Sequence, residues 1–301
     1  NEQLTLGATA LYSEEEIDYD GFNHEFDHID RTRSAGSIYA SFDSGSITNK
    51  IKRSFSNTDR YDRNGWNKSF IGSRDVWNYT GQTIFNGANV TFGYEESTEE
   101  ADIDGQIKDY KETAVISEVN YALGKNSDIS LAARRTSSKN YGDDTTYRLA
   151  AINRHQDELT SRLVVSSGFR APSLYELFDS YYGNSTFTPE TSLNAEIGLE
   201  KKLNETSEFS ATIFNNTVDN LIEFNNDTFV YEQYNGSTKT SGLELSSNLK
   251  VSDKFNLNAN YTYTKAETGD VKAVRVPKHD IVLNIKNQFS ENFYSLLSLK
   301  V

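Results

Sequence analysis

The stretch Phe255-Asn256-Leu257-Asn258-Ala259-Asn260-Tyr261-Thr262-Tyr263-Thr264 decides the fold. Every odd position is apolar or aromatic and every even position is Asn or Thr. Successive side chains of a β-strand point to opposite faces, so this period of two describes a strand with one apolar and one polar face. The pattern recurs at Leu193, Ala195, Ile197 and Leu199 against Asn194, Glu196, Gly198 and Glu200, and at Val90, Phe92 and Tyr94 against Thr91, Gly93 and Glu95. No helical stripe of comparable quality competes with it.

Working outward, about 15 such segments cover the chain, near 3–13, 33–43, 46–57, 69–85, 88–97, 109–123, 128–138, 145–155, 159–169, 192–203, 208–218, 238–250, 255–266, 277–289 and 293–301. Tight connectors such as Ser44-Gly45, Asn86-Gly87 and Ser252-Asp253 alternate with long ones near 14–32, 58–68, 98–108, 139–144, 170–191, 219–237 and 267–276. Antiparallel neighbours joined in this way carry all tight turns on one rim and all long loops on the other, which is the pattern of an outer-membrane β-barrel. A soluble sandwich or propeller also alternates, but its strands are usually about five or six residues long and its turns lack the two-sided length bias.

Composition narrows the partners. Asp and Glu (44) outnumber Lys and Arg (30), and the net charge of −14 repels phosphate backbones, so nucleic acid is not an expected partner. The chain has no Cys, which removes disulfides and thiol chemistry. No run approaches the roughly 20 apolar residues of a spanning helix. Mean hydropathy is negative, yet a transmembrane barrel shows lipid only alternate residues and keeps a polar lumen. Aromatic residues gather toward strand ends, as at Tyr12, Phe169, Phe214 and Phe289, where interfacial girdles belong.

The segment Ser166-Ser167-Gly168-Phe169-Arg170-Ala171-Pro172-Ser173-Leu174-Tyr175-Glu176-Leu177-Phe178 resembles the F-R-A-P-S-L-x-E-L signature of TonB-dependent receptors. Gly183-Asn184-Ser185-Thr186-Phe187-Thr188-Pro189-Glu190 matches the family's following N-P-x-L-x-P-E motif in degenerate form, with Ser185 in place of the usual proline. Val218-Asp219-Asn220-Leu221-Ile222 resembles its V-x-D-L-I pattern, and Asn235 with Gly242-Leu243-Glu244 resembles its N…G-x-E strand. In the N-terminal half, Leu11-Tyr12-Ser13, Ile17 to Phe22 and Asp30-Arg31-Thr32-Arg33 look most like vitamin B12 receptor-type members.

The resemblance implies an all-β fold, a partial transmembrane antiparallel barrel with about 15 of an expected 22 strands. Residues 1–301 would form a barrel domain truncated at both ends, running from near the family's fifth strand to near its nineteenth. Plug domain, TonB box and C-terminal insertion signal would lie outside it. Such a piece leaves two strand edges that lipid cannot satisfy, so it is not expected to transport alone. The implied function is outer-membrane active transport of a scarce bulky nutrient, a cobalamin or a ferric siderophore. The implied partners are a TonB complex acting through the plug, outer-membrane lipid and the nutrient itself.

Candidate ligand contacts lie in the signature loop. Tyr175, Phe178, Tyr181 and Tyr182 offer large contact area at small entropic expense. Arg170 is a further candidate, with loop anchoring as its competing role. A weak cation site is conceivable at Asp18, Asp20, Asp27 and Asp30, with Ca²⁺ as its ion, and His24 and His28 stand at i, i+4 spacing. Their spacing matches no standard cation loop, and a solvated extracellular loop is the favoured reading. No cofactor is expected otherwise. A passive porin and a barrel enzyme are the competing functions. The signature loop argues against the porin, and neither G-x-S-x-G nor H-E-x-x-H supports the enzyme.

Overall fold

The computed structural model describes residues 4–20, 26–64, 69–103, 105–269 and 271–301. The order is β1 (Thr5–Asp20), β2 (Phe26–Ser44), β3 (Ile47–Asp62), β4 (Ser69–Phe85), β5 (Ala88–Ile103), β6 (Gln106–Leu123), β7 (Ser127–Ser138), β8 (Gly142–Arg154) and β9 (Leu159–Arg170). A short helix, α1 (Leu174–Phe178), follows. The remainder is β10 (Glu190–Asn204), β11 (Ser207–Asp219), β12 (Ile222–Asn225), β13 (Val230–Gln233), β14 (Ser237–Ser252), β15 (Phe255–Thr268), β16 (Val271–Lys272), β17 (His279–Ser290) and β18 (Phe293–Lys300).

Fifteen of these strands form one antiparallel path, each paired with its chain neighbours, with β16 added beside β15 and β12–β13 set apart as a hairpin. The path matches the fifteen alternating segments one for one. Among the described residues β1 pairs only with β2 and β18 only with β17, so the sheet is open.

Directly paired residues share a face, and the register therefore draws the apolar band across the sheet. One row runs Ala88, Tyr121, Ile129, Ala151, Leu163, Ile197, Ile213, Leu243, Tyr263, His279. It starts at the turn end of β5 and finishes at the loop end of β17. That climb is the strand tilt and shear that barrel closure requires. Up to the terminal His279 these side chains are aliphatic or aromatic and yet open to the surroundings: Ile197 is 60% exposed and Ile213 65% exposed. The opposite face carries Asn194, Glu196 and Glu200 on β10 and Asn258 and Asn260 on β15.

Two connectors expected to be long loops are largely strand in their described residues. β1 continues through Asp20 and β2 starts at Phe26, while β5 runs to Ile103 and β6 starts at Gln106. The alternation stops there because both faces are polar beyond the apolar band. The backbone ladder needs no apolar side chain and continues, pairing Glu15 with Arg31 and Glu99 with Tyr110.

The compact core of the molecule lies at the loop end, on the inner face. Ala101, Ile103, Tyr110 and Leu174 are buried together, with Phe70, Tyr141, Tyr175 and Phe178 packed against them. Leu174 belongs to α1, so the signature loop folds over the inner face of β5 and β6.

Candidate functional site

Pro172 cannot donate to a ladder, and β9 ends two residues before it, at Arg170. Ser173 then caps α1. Its Oγ accepts from the Glu176 N–H at 3.1 Å, while the Ser173 N–H donates to Glu176 Oε2 at 2.7 Å, a reciprocal capping box. The S-x-x-E spacing of Ser173 and Glu176 was a readable signal for this turn of helix, and the alternation reading passed over it.

Arg170 ties the loop to the wall. Its Nε donates to Glu190 Oε2 at 2.9 Å and its Nη1 to Glu176 Oε2 at 2.9 Å. Glu190 Oε1 also accepts the Ile222 N–H at 2.8 Å, which brings the start of β12 into the same node. Glu176 and Glu190 are 8% and 7% exposed, so the guanidinium bridges two carboxylates with little access to water. The pair raises the pKa of Arg170, through the Glu190 hydrogen bond first and Glu176 next, against burial. Burial works against ionisation of Glu190, but the Arg170 hydrogen bond, the Ile222 N–H and the Arg170 charge together outweigh it and hold the carboxyl below its ordinary value. Both residues sit above the apolar band.

The loop continues through Asp179, 4% exposed, whose Oδ1 accepts the Tyr181 and Tyr182 N–H groups at 2.9 and 2.7 Å. A Cβ on Gly183 would lie 2.7 Å from both the N and the O of Asp179, so only glycine allows this return. The β12–β13 hairpin docks on the result. Tyr231 N–H donates to the Tyr182 carbonyl at 2.9 Å, and Gln233 Nε2 donates to the Thr188 and Asn220 carbonyls at 2.6 and 2.8 Å.

These bonds align six rings. Centroid separations are 6.1 Å for Phe70–Tyr175, 6.3 Å for Tyr175–Tyr231, 5.3 Å for Tyr231–Phe224, 5.8 Å for Phe224–Tyr182 and 6.2 Å for Tyr182–Tyr181. Most meet edge to face, the arrangement favoured by the ring quadrupole. Tyr181 at the end of the row is 55% exposed. Burial, then the charges of Glu176 and Asp179, push the Tyr231 hydroxyl pKa up, so this ring keeps its proton. Phe178 stands apart from the row, with Lys108 Nζ 5.2 Å from its centre. Below the loop a cavity of about 280 Å³ is lined by Thr58, Phe70, Arg74, Glu99 and Tyr175 among others.

The structure thus brings Tyr175, Tyr181 and Tyr182 into one row, sets Phe178 beside it, and makes Arg170 the bolt beneath it. Phe224 and Tyr231 join the row unforeseen, because the 219–237 connector was read as plain loop. Asn225-Asn226-Asp227-Thr228 between Ile222-Glu223-Phe224 and Phe229-Val230-Tyr231 signals the hairpin that carries them, though not where that hairpin docks.

The candidate cation residues are not brought together. Asp18 pairs with His28 and Asp30 with Arg63, whereas Asp27 stands on the opposite face, in register with Tyr19. Among the described residues there is no group of three or more metal-ligating side chains. His24 lies outside the described residues.

The sequence profile of the TonB-dependent receptor-like β-barrel family matches residues 2–297. The chain belongs to that family. Its relatives include the vitamin B12 transporter BtuB of Vibrio cholerae serotype O1, 30% identical over 108 residues, which is 36% of this chain and 18% of the transporter. The iron-regulated outer membrane virulence protein of the same organism is 26% identical over 210 residues, 60% of this chain and 32% of that protein. Among solved structures, the siderophore receptor PirA of Pseudomonas aeruginosa superimposes with a TM-score of 0.80 at 15% identity, covering 98% of this chain and 58% of that one. The ferric enterobactin receptor PfeA of the same organism gives 0.77 at 16% identity, covering 99% and 54%. The chain therefore spans little more than half the length of these receptors. Family membership puts the sheet in the bacterial outer membrane as part of a barrel wall. The apolar band faces lipid, the tight turns mark the periplasmic rim and the signature loop the extracellular one.

Proposed function

We propose that the protein carrying this chain captures a scarce, bulky nutrient, a cobalamin or a ferric siderophore, on the extracellular row of rings and imports it. Energy comes from a TonB complex acting through a plug domain outside residues 1–301. The observation that carries this reading is the row itself: six rings held in place by non-local bonds and ending on the exposed Tyr181. Stacked aromatics ordered before binding give contact area without an ordering penalty.

The cavity beneath the loop is small for such a cargo, since even drug-sized ligands fill about 300–1,000 Å³. The rings thus act as a platform on which the nutrient rests.

Charge favours one cargo class. The docked hairpin that supplies Phe224 and Tyr231 carries Glu223, Asp227 and Glu232 and no Lys or Arg, and Arg170 is already engaged by Glu176 and Glu190. A polyanionic ferric catecholate meets repulsion there, whereas a neutral corrinoid or a neutral chelate does not. No catalytic step belongs to the proposal. Uptake of labelled cobalamin and of labelled ferric catecholate by cells expressing the gene tests it. TonB-dependent uptake of the neutral cargo in preference to the anionic one is expected. Uptake that survives disruption of TonB and extends to small solutes overturns it in favour of a porin.

A further inference from the structure

The outward face changes sign around the sheet. Above the apolar band on β1 to β5 it carries Glu14, Asp59, Glu96 and Glu100, together with Glu16 and Asp75, which pair with Arg63 and Arg53. Outward arginines at that height are neutralised, Arg53 by Asp75 at 2.8 Å and Arg135 by Asp143 at 2.7 Å. Across β14 to β17 the same height is basic. Lys239, Glu267 and Lys272 lie in direct register and share the outward face with Lys265 and Tyr263. Lys265 is paired with Glu267 at 2.8 Å. Lys239, Lys272, Arg275 and Lys278 are exposed, and among the described residues none has a carboxylate within ion-pair distance.

The 271–278 segment folds back along β15, through Ala273 N–H to the Ala266 carbonyl at 2.9 Å and Thr264 N–H to the Lys278 carbonyl at 3.0 Å. That return sets the cations against the top of the apolar band. Lys278 Nζ stands 5.8 Å from the Tyr263 ring centre, and Tyr261 and His279 are stacked with Tyr261 Oη 2.9 Å from His279 Nδ1. Val274 is 82% exposed between the cations. Amphipathic rings at headgroup level, topped by uncompensated cations, describe a surface for anionic lipid.

We propose that this patch holds the phosphate groups of a phosphorylated outer-leaflet glycolipid. Lys239, Lys272 and Lys278 engage the phosphates, and Tyr261, Tyr263 and His279 rest against the acyl–headgroup boundary. The acidic β1–β5 rim disfavours phosphate by comparison, so in a chain of net charge −14 this patch is the preferred contact with the leaflet.

The test places the complete protein, purified from outer membranes, in nanodiscs of phosphatidylcholine alone or doped with diphosphoryl lipid A, and counts retained lipid by native mass spectrometry. Wild type is expected to retain lipid A over phosphatidylcholine. The triple variant Lys239→Gln, Lys272→Gln, Lys278→Gln is expected to retain at least about tenfold less. The triple Lys→Arg variant at the same positions should retain it, and so should Lys50→Gln with Lys52→Gln on the inner face, which separates charge from folding. Equal retention by the Gln triple, loss in the Arg triple, or equal retention of phosphatidylcholine overturns the proposal. Displacement of lipid A by an equal concentration of inorganic phosphate would overturn it too, reducing the patch to a simple anion site.

Discussion

The apolar band and the Arg170 node stabilise their parts of the molecule in opposite ways. In the band, Ile197 meets Leu163 on one side and Ile213 on the other, and each contact is one of many of the same kind. At the node one guanidinium serves two carboxylates, one of which also receives a backbone N–H from a different hairpin. The band is redundant and legible as a pattern; the node is singular and legible only as a motif. A distributed element tolerates conservative change everywhere and fails by accumulation, while a singular one fails at a single residue.

Four measurements break or sharpen that contrast. The largest effect is expected from Arg170→Leu, which strands Glu176 and Glu190 almost buried without their cation. Removing one partner of a buried pair costs about 3–5 kcal/mol, and the 44% exposure of the Arg170 side chain brings the expectation down to about 3 kcal/mol. Amide hydrogen exchange should show the loss in residues 173–190 and 222–233, with the strands of the wall unchanged. Next comes Ile197→Lys, which puts a charge on the lipid face and should cost about 2 kcal/mol or somewhat more. Urea unfolding in vesicles reads it, and Ile197→Leu should be nearly neutral.

Ser173→Ala removes the cap of α1 and should cost about 1 kcal/mol, confined to the loop. The smallest effect is that of pH. Because the folded pKa of Glu190 is depressed, its contribution is fully present above the ordinary glutamate value of about 4.3 and is lost as pH falls through the lower folded value. Loop protection should hold from neutral pH down to that range and weaken below it, and Glu190→Gln should remove the transition.

How much was legible in the sequence follows from the same contrast. Alternation found every strand of the sheet path because lipid on one side and a polar lumen on the other enforce period two. It misplaced the loop ends at 14–32 and 98–108, since above the band nothing enforces the alternation although the ladder persists. The signature motif located the loop, and Tyr175, Tyr181 and Tyr182 came with it. Glu176 and Glu190 were quoted within the motifs but not joined to Arg170, because their partnership depends on β9 and β10 lying side by side. Phe224 and Tyr231 reach the row only through the docking of β12–β13, a non-local event that local pattern does not encode.

The central claim is that the row of rings is where the nutrient is held. Equilibrium binding of labelled cobalamin to outer membranes containing the protein, compared with the Tyr181→Ala variant, tests it most directly. Tyr181 is 55% exposed and lies outside the Arg170 node, and unchanged amide hydrogen exchange in residues 173–190 of the variant checks that the loop stays in place. The account predicts saturable binding that weakens about tenfold in the variant, equivalent to about 1.4 kcal/mol. Saturable binding of the same affinity in both proteins would contradict it, as would no binding in either of cobalamin and of a neutral ferric chelate alike.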